Sequence, residues 1–343
     1  MELPRKVVAA SGALYEIAEI CADLKLKGKA LILTGPNTIQ VVGREITSQL
    51  EEGGYETQSL ITRASRIEEV DRAEALAREM GAGFIIGAGG GRSIDIAKLS
   101  SLRLDIPFIS VPTAASHDGI CSAQASLTVN GETTSISAHA PLAIVADIHI
   151  ISNAPGRLLA AGCGDIISNY TAILDWKLAC RLRCEEYSEY AAALSGMTAR
   201  MIVDRAPSIR PGLEDAAKVV VQALISSGVA MSIAGSSRPA SGSEHKFAHA
   251  VNRITPGKAL HGELCGLGTI IMMYLHGGKW IMIQDALRQL GAPTTAAQVG
   301  LDRETVVGAL LMAHTIRPER YTILGTGLTR AAAIRAAEAT GVI

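Results

Sequence analysis

The sequence is short of aromatic residues, of net charge and of paired cysteines. Aromatics make up 3% of its 343 residues against 48% hydrophobic residues, so a core must be built mainly from Ala, Val, Ile and Leu. Lys and Arg number 32 and Asp and Glu 33, a balance that leaves no global field for nucleic acid or acidic lipid. No basic run of five or more residues occurs, so no nucleic-acid partner is expected. The six cysteines, at 21, 121, 163, 180, 184 and 265, contain no CxxC pair and lack the density of a disulfide scaffold. Free thiols in a reducing cytosol follow. Cys180 and Cys184 would share a helix face, yet partner ligands are missing nearby, and two plain thiols are the expectation. The stretch MELPRKVVAASGALYEIAEICADLK has acidic residues among its apolar ones and no signal-peptide core, which points to a cytoplasmic location. VVVQALISSGVAMSIAGSS (219–237) is uncharged, but Gln222, Gly228 and its serines favour a helix buried in a bundle over a membrane insertion. No 20–50-residue repeat and no low-complexity segment is present.

The length suits two domains. KALILTG (29–35), YETQSLIT (55–62), GFIIGAGGG (83–91) and PFISVPT (107–113) read as strands. Between them TIQVVGREITSQLEE (38–52), IEEVDRAEALAREM (67–80) and SIDIAKLSSLRL (93–104) have helical spacing. Strand and helix in turn imply a parallel sheet with crossovers. Asn130-Gly131 between two alternating runs signals a hairpin over 123–139, and LAIVAD (142–147) closes this half. Beyond a seam near Asn153-Ala-Pro155 the pattern is helical throughout, including SEYAAALSGMTARMIVDRA, SEHKFAHAVNRI and GELCGLGTIIMMYLHGG. The predicted fold is an α/β N-terminal domain with a mostly parallel, Rossmann-like sheet (1–150, nucleotide-binding). An all-α C-terminal domain (151–343, metal- and substrate-binding) follows it.

Three stretches carry chemistry. GAGGGRSIDIAKLSS (87–101) runs from a strand into a helix, and Gly89, Gly90 and Gly91 remove side chains that would keep a phosphate from the helix N-terminus. Ser93 is a plausible cap and Asp95 lies in the first turn. The spacing is not a good GxGxxG match, and the loop follows the third predicted strand rather than the first. A plain surface turn is the alternative. TGPNT (34–38), after the first predicted strand, has no carboxylate for a ribose, leaving NAD and NADP both open. SGSEHKFAHAVNRITPGKALHGELCGLG (241–268) holds three of the eight histidines. His245 and His249, four apart, would share a helix face; His261 opens a new helix after a Pro-Gly break, and Asp165 begins the first helix after the seam. Such a set suits zinc or another divalent ion, though an interhelical hydrogen-bond network would also explain it, and spacing does not say which three groups bind. VPTAASHDGICSAQAS (111–126) leaves a strand end where open α/β sheets bind ligands. Thr113, Ser116 and Ser122 could donate to phosphates, and His117 and Asp118 could address a substrate; a capped loop is the alternative.

Together GGGRSIDIAKLSS, VPTAASHDGICS, GCGDIISNYTA, SGSEHKFAHA and LHGELCGLG resemble the archaeal sn-glycerol-1-phosphate dehydrogenases, kin of the iron-type alcohol dehydrogenases, glycerol dehydrogenase and 3-dehydroquinate synthase. The resemblance implies reversible reduction of dihydroxyacetone phosphate by NAD(P)H to sn-glycerol 1-phosphate, the backbone of archaeal ether phospholipids. It implies one zinc ion per subunit on Asp165, His245 and His261, with His249 turned to the substrate. Asp118 and Asp165 match substrate-contacting positions, and Asp118 and His249 are the catalytic candidates. Gly89, Gly90, Gly91, Arg92 and Ser93 match the pyrophosphate loop; Thr113, Ala114, Ala115, Ser116 and Ser122 match further cofactor contacts. The chemistry needs a Lewis acid at the ketone oxygen and reacting carbons about 3–3.5 Å apart, as in a cleft between the halves.

Two alternatives stay open: a polyol or arabinitol-phosphate dehydrogenase, and a dehydroquinate-synthase-type lyase on the same fold. The lyase would want more cations than Lys246, Arg253 and Lys258 supply. Apolar helices invite a homo-oligomer, but no stretch specifies an interface.

Overall fold

The computed structural model describes residues 3–129 and 131–343. The chain divides into two compact units, Met1–Pro155 with Pro211–Ser232, and Gly156–Arg210 with Ile233–Ile343.

Among the described residues of the first unit, β1 (Lys6–Ala10), β2 (Lys29–Thr34), β3 (Thr57–Ile61), β4 (Ala82–Gly89) and β5 (Phe108–Pro112) join a later strand in one sheet. A separate antiparallel pair, β6 (Gln124–Val129) and β7 (Glu132–Ser137), precedes that last strand, β8 (Ala143–Asp147). The sheet order is β1-β8-β5-β4-β2-β3, and every pairing in it is parallel. Helices on the faces of such a sheet demand strands that are apolar on both sides. Accordingly Leu31, Ile32, Leu33, Phe84, Ile85 and Ile86 are fully buried. The Ile67–Met80 helix forms where predicted. It buries Val70, Ala73 and Ala77 at helical spacing, has Glu68 and Glu69 in its first turn, and stops at Gly81 with φ +67°.

β1 has no counterpart in the sequence reading. It is a five-residue edge strand with Val7 45% exposed, and its partner residues start at Ala143, far along the chain. Its presence makes β4 the fourth strand, so the glycine turn follows the fourth strand rather than the third. The β6–β7 pairing matches the predicted hairpin; Asn130 of its turn lies outside the described residues.

The helix Glu214–Ala234 also departs from the division at 150. Most of it belongs to the first unit, tied there by Ser11 Oγ donating to Glu214 Oε2 (2.5 Å) and Ser227 Oγ donating to Asp118 Oδ2 (3.0 Å). It contains most of the uncharged stretch noted above. By length and hydropathy it could cross a bilayer, yet 56% of its apolar window is buried inside the protein.

The second unit has no strand among its described residues. Its helices include Gly156–Ile167, Asn169–Arg183, Glu189–Arg205, Ser243–Ile254 and His261–Leu275, with Trp280–Gln289, which the sequence reading missed. The Asn169–Arg183 helix ends before Cys184, whose φ of +53° takes that thiol off the face that carries Cys180. The helices Gly156–Ile167 and His261–Leu275 approach until a Cβ on Gly262 would stand 1.9 Å from Ala161 O, and one on Gly164 2.4 Å from Gly262 O. Glycine at both positions is what permits this approach. Arg157, which donates to both carboxylate oxygens of Glu263 at 2.6 and 2.8 Å, clamps the same pair of helices. The consequence is that Asp165 and His261, nearly a hundred residues apart, become neighbours.

Candidate active site

In the first unit, β2's crossover leads to one side of the sheet and β4's to the other. The loops after these two neighbouring strands therefore diverge, which makes the topological switch point where α/β sheets bind ligands. Thr38 Oγ1 accepts from Gly35 N (2.8 Å) in the first loop and lies against Gly89 in the second. Gly89 has φ +147°. Gly90 precedes the Gly91–Leu104 helix, and no side chain caps that helix. A Cβ on Gly90 would meet nothing within 4 Å. Uncapped N–H groups at a helix start with open space before them suit an anion. Thr113 N donates to Gly89 O (3.0 Å), which brings the stretch Thr113–Ser116 beside the glycine turn.

Several details differ from expectation. Ser93 is not the cap: the helix begins at Gly91, and the buried Ser93 hydroxyl pairs with Thr62 Oγ1 at 3.1 Å. Asp95 lies beyond the first turn and is structural, accepting from Lys98 Nζ (3.1 Å) and Ser126 N (3.2 Å). Arg92 is exposed, Ala114 and Ala115 are buried, and Ser122 is buried with its N–H on Asp118 O (3.1 Å). His117 accepts from Gly119 N through Nδ1 (2.9 Å), and its ring fills the place a Gly91 side chain would need.

In the second unit one ligand atom each of Asp165, His245, His261 and Cys265 falls within 4.8 Å of the others. Asp165 Oδ1 stands 3.8 Å from His245 Nε2 and 3.7 Å from His261 Nε2. A tetrahedral ion with bonds of about 2.0–2.3 Å spaces its ligand atoms roughly 3.3–3.8 Å apart, so the donor set fits a divalent metal in both chemistry and spacing. Asp165 comes from near the end of the Gly156–Ile167 helix, not its start. His249 is outside the group, its ring centre 6.0 Å from that of His261, so the i, i+4 pair does not converge.

Cys265 is the member that the sequence reading left unassigned. The signal was its position four after His261 on one helix, where its Sγ lies 3.5 Å from His261 Nε2. Glu244 is a second omission. Fully buried, it accepts from Thr171 Oγ1 (2.7 Å) and Gly242 N (2.5 Å), and stands 2.9 Å from His245 Nδ1. Burial, with Asp175 adding to it, pushes its carboxyl up to about 7. Burial, then the charge of His261, holds both His245 and His249 well below the ordinary imidazole range. Both rings are thus neutral at pH 7, the state in which imidazole ligates a metal.

A family model described as iron-containing alcohol dehydrogenase matches residues 8–155. The chain is 67% identical over 343 residues to the glycerol-1-phosphate dehydrogenase (NAD(P)+) of Methanothrix thermoacetophila, covering 100% of this chain and 97% of the relative. It is 60% identical to the protein of that name from Methanosarcina acetivorans, again over all of this chain and 96% of the relative. Among solved structures, glycerol dehydrogenase from Schizosaccharomyces pombe superimposes with a TM-score of 0.83 at 20% identity, over 99% of this chain and 89% of that one. A probable glycerol dehydrogenase from Sinorhizobium meliloti gives 0.81 at 21%, over 98% and 96%. These two likenesses speak to the fold alone.

Proposed function

The chain belongs to the glycerol-1-phosphate dehydrogenase family, and from that premise we infer that it is an NAD(P)-dependent oxidoreductase that interconverts dihydroxyacetone phosphate and sn-glycerol 1-phosphate. The carrying observation is the 67% identity over the full chain to a relative of that name. In the reducing direction a hydride and a proton add across the C2 carbonyl, and NAD(P)H becomes NAD(P)+. The product is the glycerol backbone of archaeal ether phospholipids on this reading, and the six free cysteines accord with a cytoplasmic enzyme.

The ligand assignment is part of the proposal. Asp165, His245 and His261 hold one zinc ion per subunit. A catalytic ion keeps one position open, so three protein ligands suffice, and Cys265 Sγ stands beside the set without joining it. When bound, the metal supplies Lewis acidity toward the ketone oxygen, worth several kcal/mol in general. The chain's own part is to prepare the donors. Glu244 takes the Nδ1 proton of His245 in a hydrogen bond and leaves Nε2 as the ligand atom. Asp165 contributes a buried carboxylate and contacts the substrate. His249, kept neutral, takes a proton from solvent at one ring nitrogen as it gives the N–H of the other to the product hydroxyl, so the ring ends neutral. Asp118, oriented by Ser227 Oγ, contacts the substrate. Gly89, Gly90, Gly91, Arg92 and Ser93 receive the cofactor pyrophosphate, chiefly through backbone N–H groups. Thr113, Ala114, Ala115, Ser116 and Ser122 shape the rest of the cofactor site.

The test is a chiral assay of the product formed from dihydroxyacetone phosphate with NADH and with NADPH. The sn-1 configuration is expected, together with loss of activity on chelation and recovery with zinc. An sn-3 product, or no turnover with either cofactor, overturns the reading.

A further inference from the structure

We propose that Arg317, flanked by Arg320, is the seat of the substrate's phosphate group, a dianionic monoester held beside the Asp165–His245–His261 cluster. The inference rests on the reading above in taking a phosphorylated substrate, and it assigns residues that neither motif nor spacing singled out.

The segment from Ile316 to Ile323 is fixed at several points. Arg238 Nη1 donates to Tyr321 O (2.9 Å), and Ile323 N donates to Asp175 Oδ1 (2.7 Å). Arg320 donates to Ser241 O (2.8 Å) and Ser237 Oγ (2.9 Å), which ties it to the chain just ahead of the helix carrying His245 and His249. On this anchored backbone Arg317 has φ +48°, a left-handed conformation that non-glycine residues adopt rarely and that gathers at ligand sites.

The Arg317 side chain is half-buried, and among the described residues its guanidinium has no hydrogen-bond or ion-pair partner. The carboxylate whose charge reaches it belongs to the exposed Glu319, and burial outweighs that attraction, pulling its pKa below the ordinary arginine value. Arg320 is tied to Ser241, four residues ahead of His245, which sets this segment near the metal-ligand cluster, and the charges of Arg317 and Arg320 bear on both His245 and His249.

Two other anion holders in this neighbourhood are already engaged. The start of the Ser243–Ile254 helix is filled from within, since Asp175 Oδ2 accepts Ser243 N (2.6 Å) and Glu244 Oε1 accepts Gly242 N (2.5 Å). Arg238 is paired with Glu185. A planar fork of N–H donors matches phosphate oxygens, and a desolvated cation without a counter-ion is costly unless a ligand supplies the charge.

The experiment compares zinc-loaded wild type with Arg317→Gly and Arg317→Lys. Glycine suits a left-handed backbone, so the fold is kept, and a ligand role predicts a Tm equal to or above wild type. The readouts are Tm, calorimetric binding of inorganic phosphate, and the kcat/KM ratio for dihydroxyacetone phosphate over dihydroxyacetone. R317G is expected to weaken phosphate binding and to lower that ratio, each roughly 10- to 150-fold, with R317K between it and wild type. An unchanged ratio with unchanged phosphate affinity overturns the site, as does a lowered Tm with equal losses on both substrates. The two readings fail separately. Wild type that binds inorganic phosphate through Arg317 yet reduces neither ketone keeps the anion site and sinks the reaction. Wild type that reduces dihydroxyacetone phosphate while R317G retains its KM does the opposite.

Discussion

Glu244 Oε1 stands 2.9 Å from His245 Nδ1, on the opposite side of the ring from the Nε2 that approaches Asp165. A ligand imidazole whose second nitrogen is held by a buried carboxylate has its tautomer and orientation set before the ion arrives. Replacing Glu244 with Ala is therefore expected to weaken zinc affinity by about 10- to 100-fold. Gln, which can still accept at Nδ1–H, should recover part of that loss. Competition with a chromophoric chelator measures both, and an affinity unchanged in E244A would remove Glu244 from any role at the metal.

The four-residue donor group makes a sharper prediction about which members bind. Ala at Asp165, His245 or His261 should leave protein that purifies with trace zinc. Ala at Cys265 should leave the stoichiometry at one ion per chain and keep the enzyme active, since the open position belongs to substrate. Metal analysis of the four variants decides it. Loss of zinc in C265A would mean a closed four-ligand site and would contradict the open-position argument.

Protonation of the metal-free protein has a defined sign. His245 and His249 are held well below 6.5 in the folded chain but titrate near 6.5 once unfolded. Below pH 6.5 the unfolded state binds more protons, so these two rings make stability fall as pH falls. Glu244 acts the other way: its carboxyl is pushed up to about 7 from 4.5, so the folded state holds the extra proton between those values. Stability should thus be greatest near pH 6.5–7 on account of these groups and decline below it, because two imidazoles oppose one carboxyl. Urea denaturation of chelator-treated protein from pH 8 to 5 checks this. A stability that climbs steadily to pH 5 would show the imidazoles are not buried in neutral form.

What the linear sequence reveals depends on the range of the interactions. The helix Ser243–Ile254 and the helix Ile67–Met80 are legible because their apolar spacing and stop signals are local. β1 is not, since its pairing with Ala143–Asp147 is remote and its burial half complete. In the site, the histidine stretch stands out by density, whereas its partner Asp165 is one carboxylate among 33 acidic residues. What brings it in is the contact at Gly164 and Gly262, a tertiary fact. The naive His245–His249 pairing fails because the ligand atoms of Asp165 and His261 gather with that of His245, while His249 stands outside the group with its ring against His261. Arg317 has no motif at all: its interest lies in a backbone angle and a missing partner, neither of which has a sequence signature.

The three consecutive glycines of the turn after β4 should respond differently to alanine, and the contrast separates folding from ligand binding. Gly89 has φ +147°, so Ala there is strained and should cost about 1–3 kcal/mol of stability. Gly91 faces the His117 ring, with a Cβ only 2.1 Å from Nε2, so Ala must displace a ring that is itself held by Gly119 N. Gly90 has φ −82° and open space around its Cβ position, so Ala should change stability by no more than about 0.5 kcal/mol. Yet the added methyl would fill part of the open space at Gly90, the residue just before the uncapped helix start, where an anion must come close. G90A is therefore expected to keep the wild-type Tm while raising KM for NADH and NADPH roughly 10-fold or more, the loss of a charge-assisted backbone hydrogen bond. Thermal melts and cofactor titrations on the three variants test the set. If G90A bound cofactor as wild type does while G89A and G91A merely melted earlier, the glycines would be serving the turn and not a phosphate.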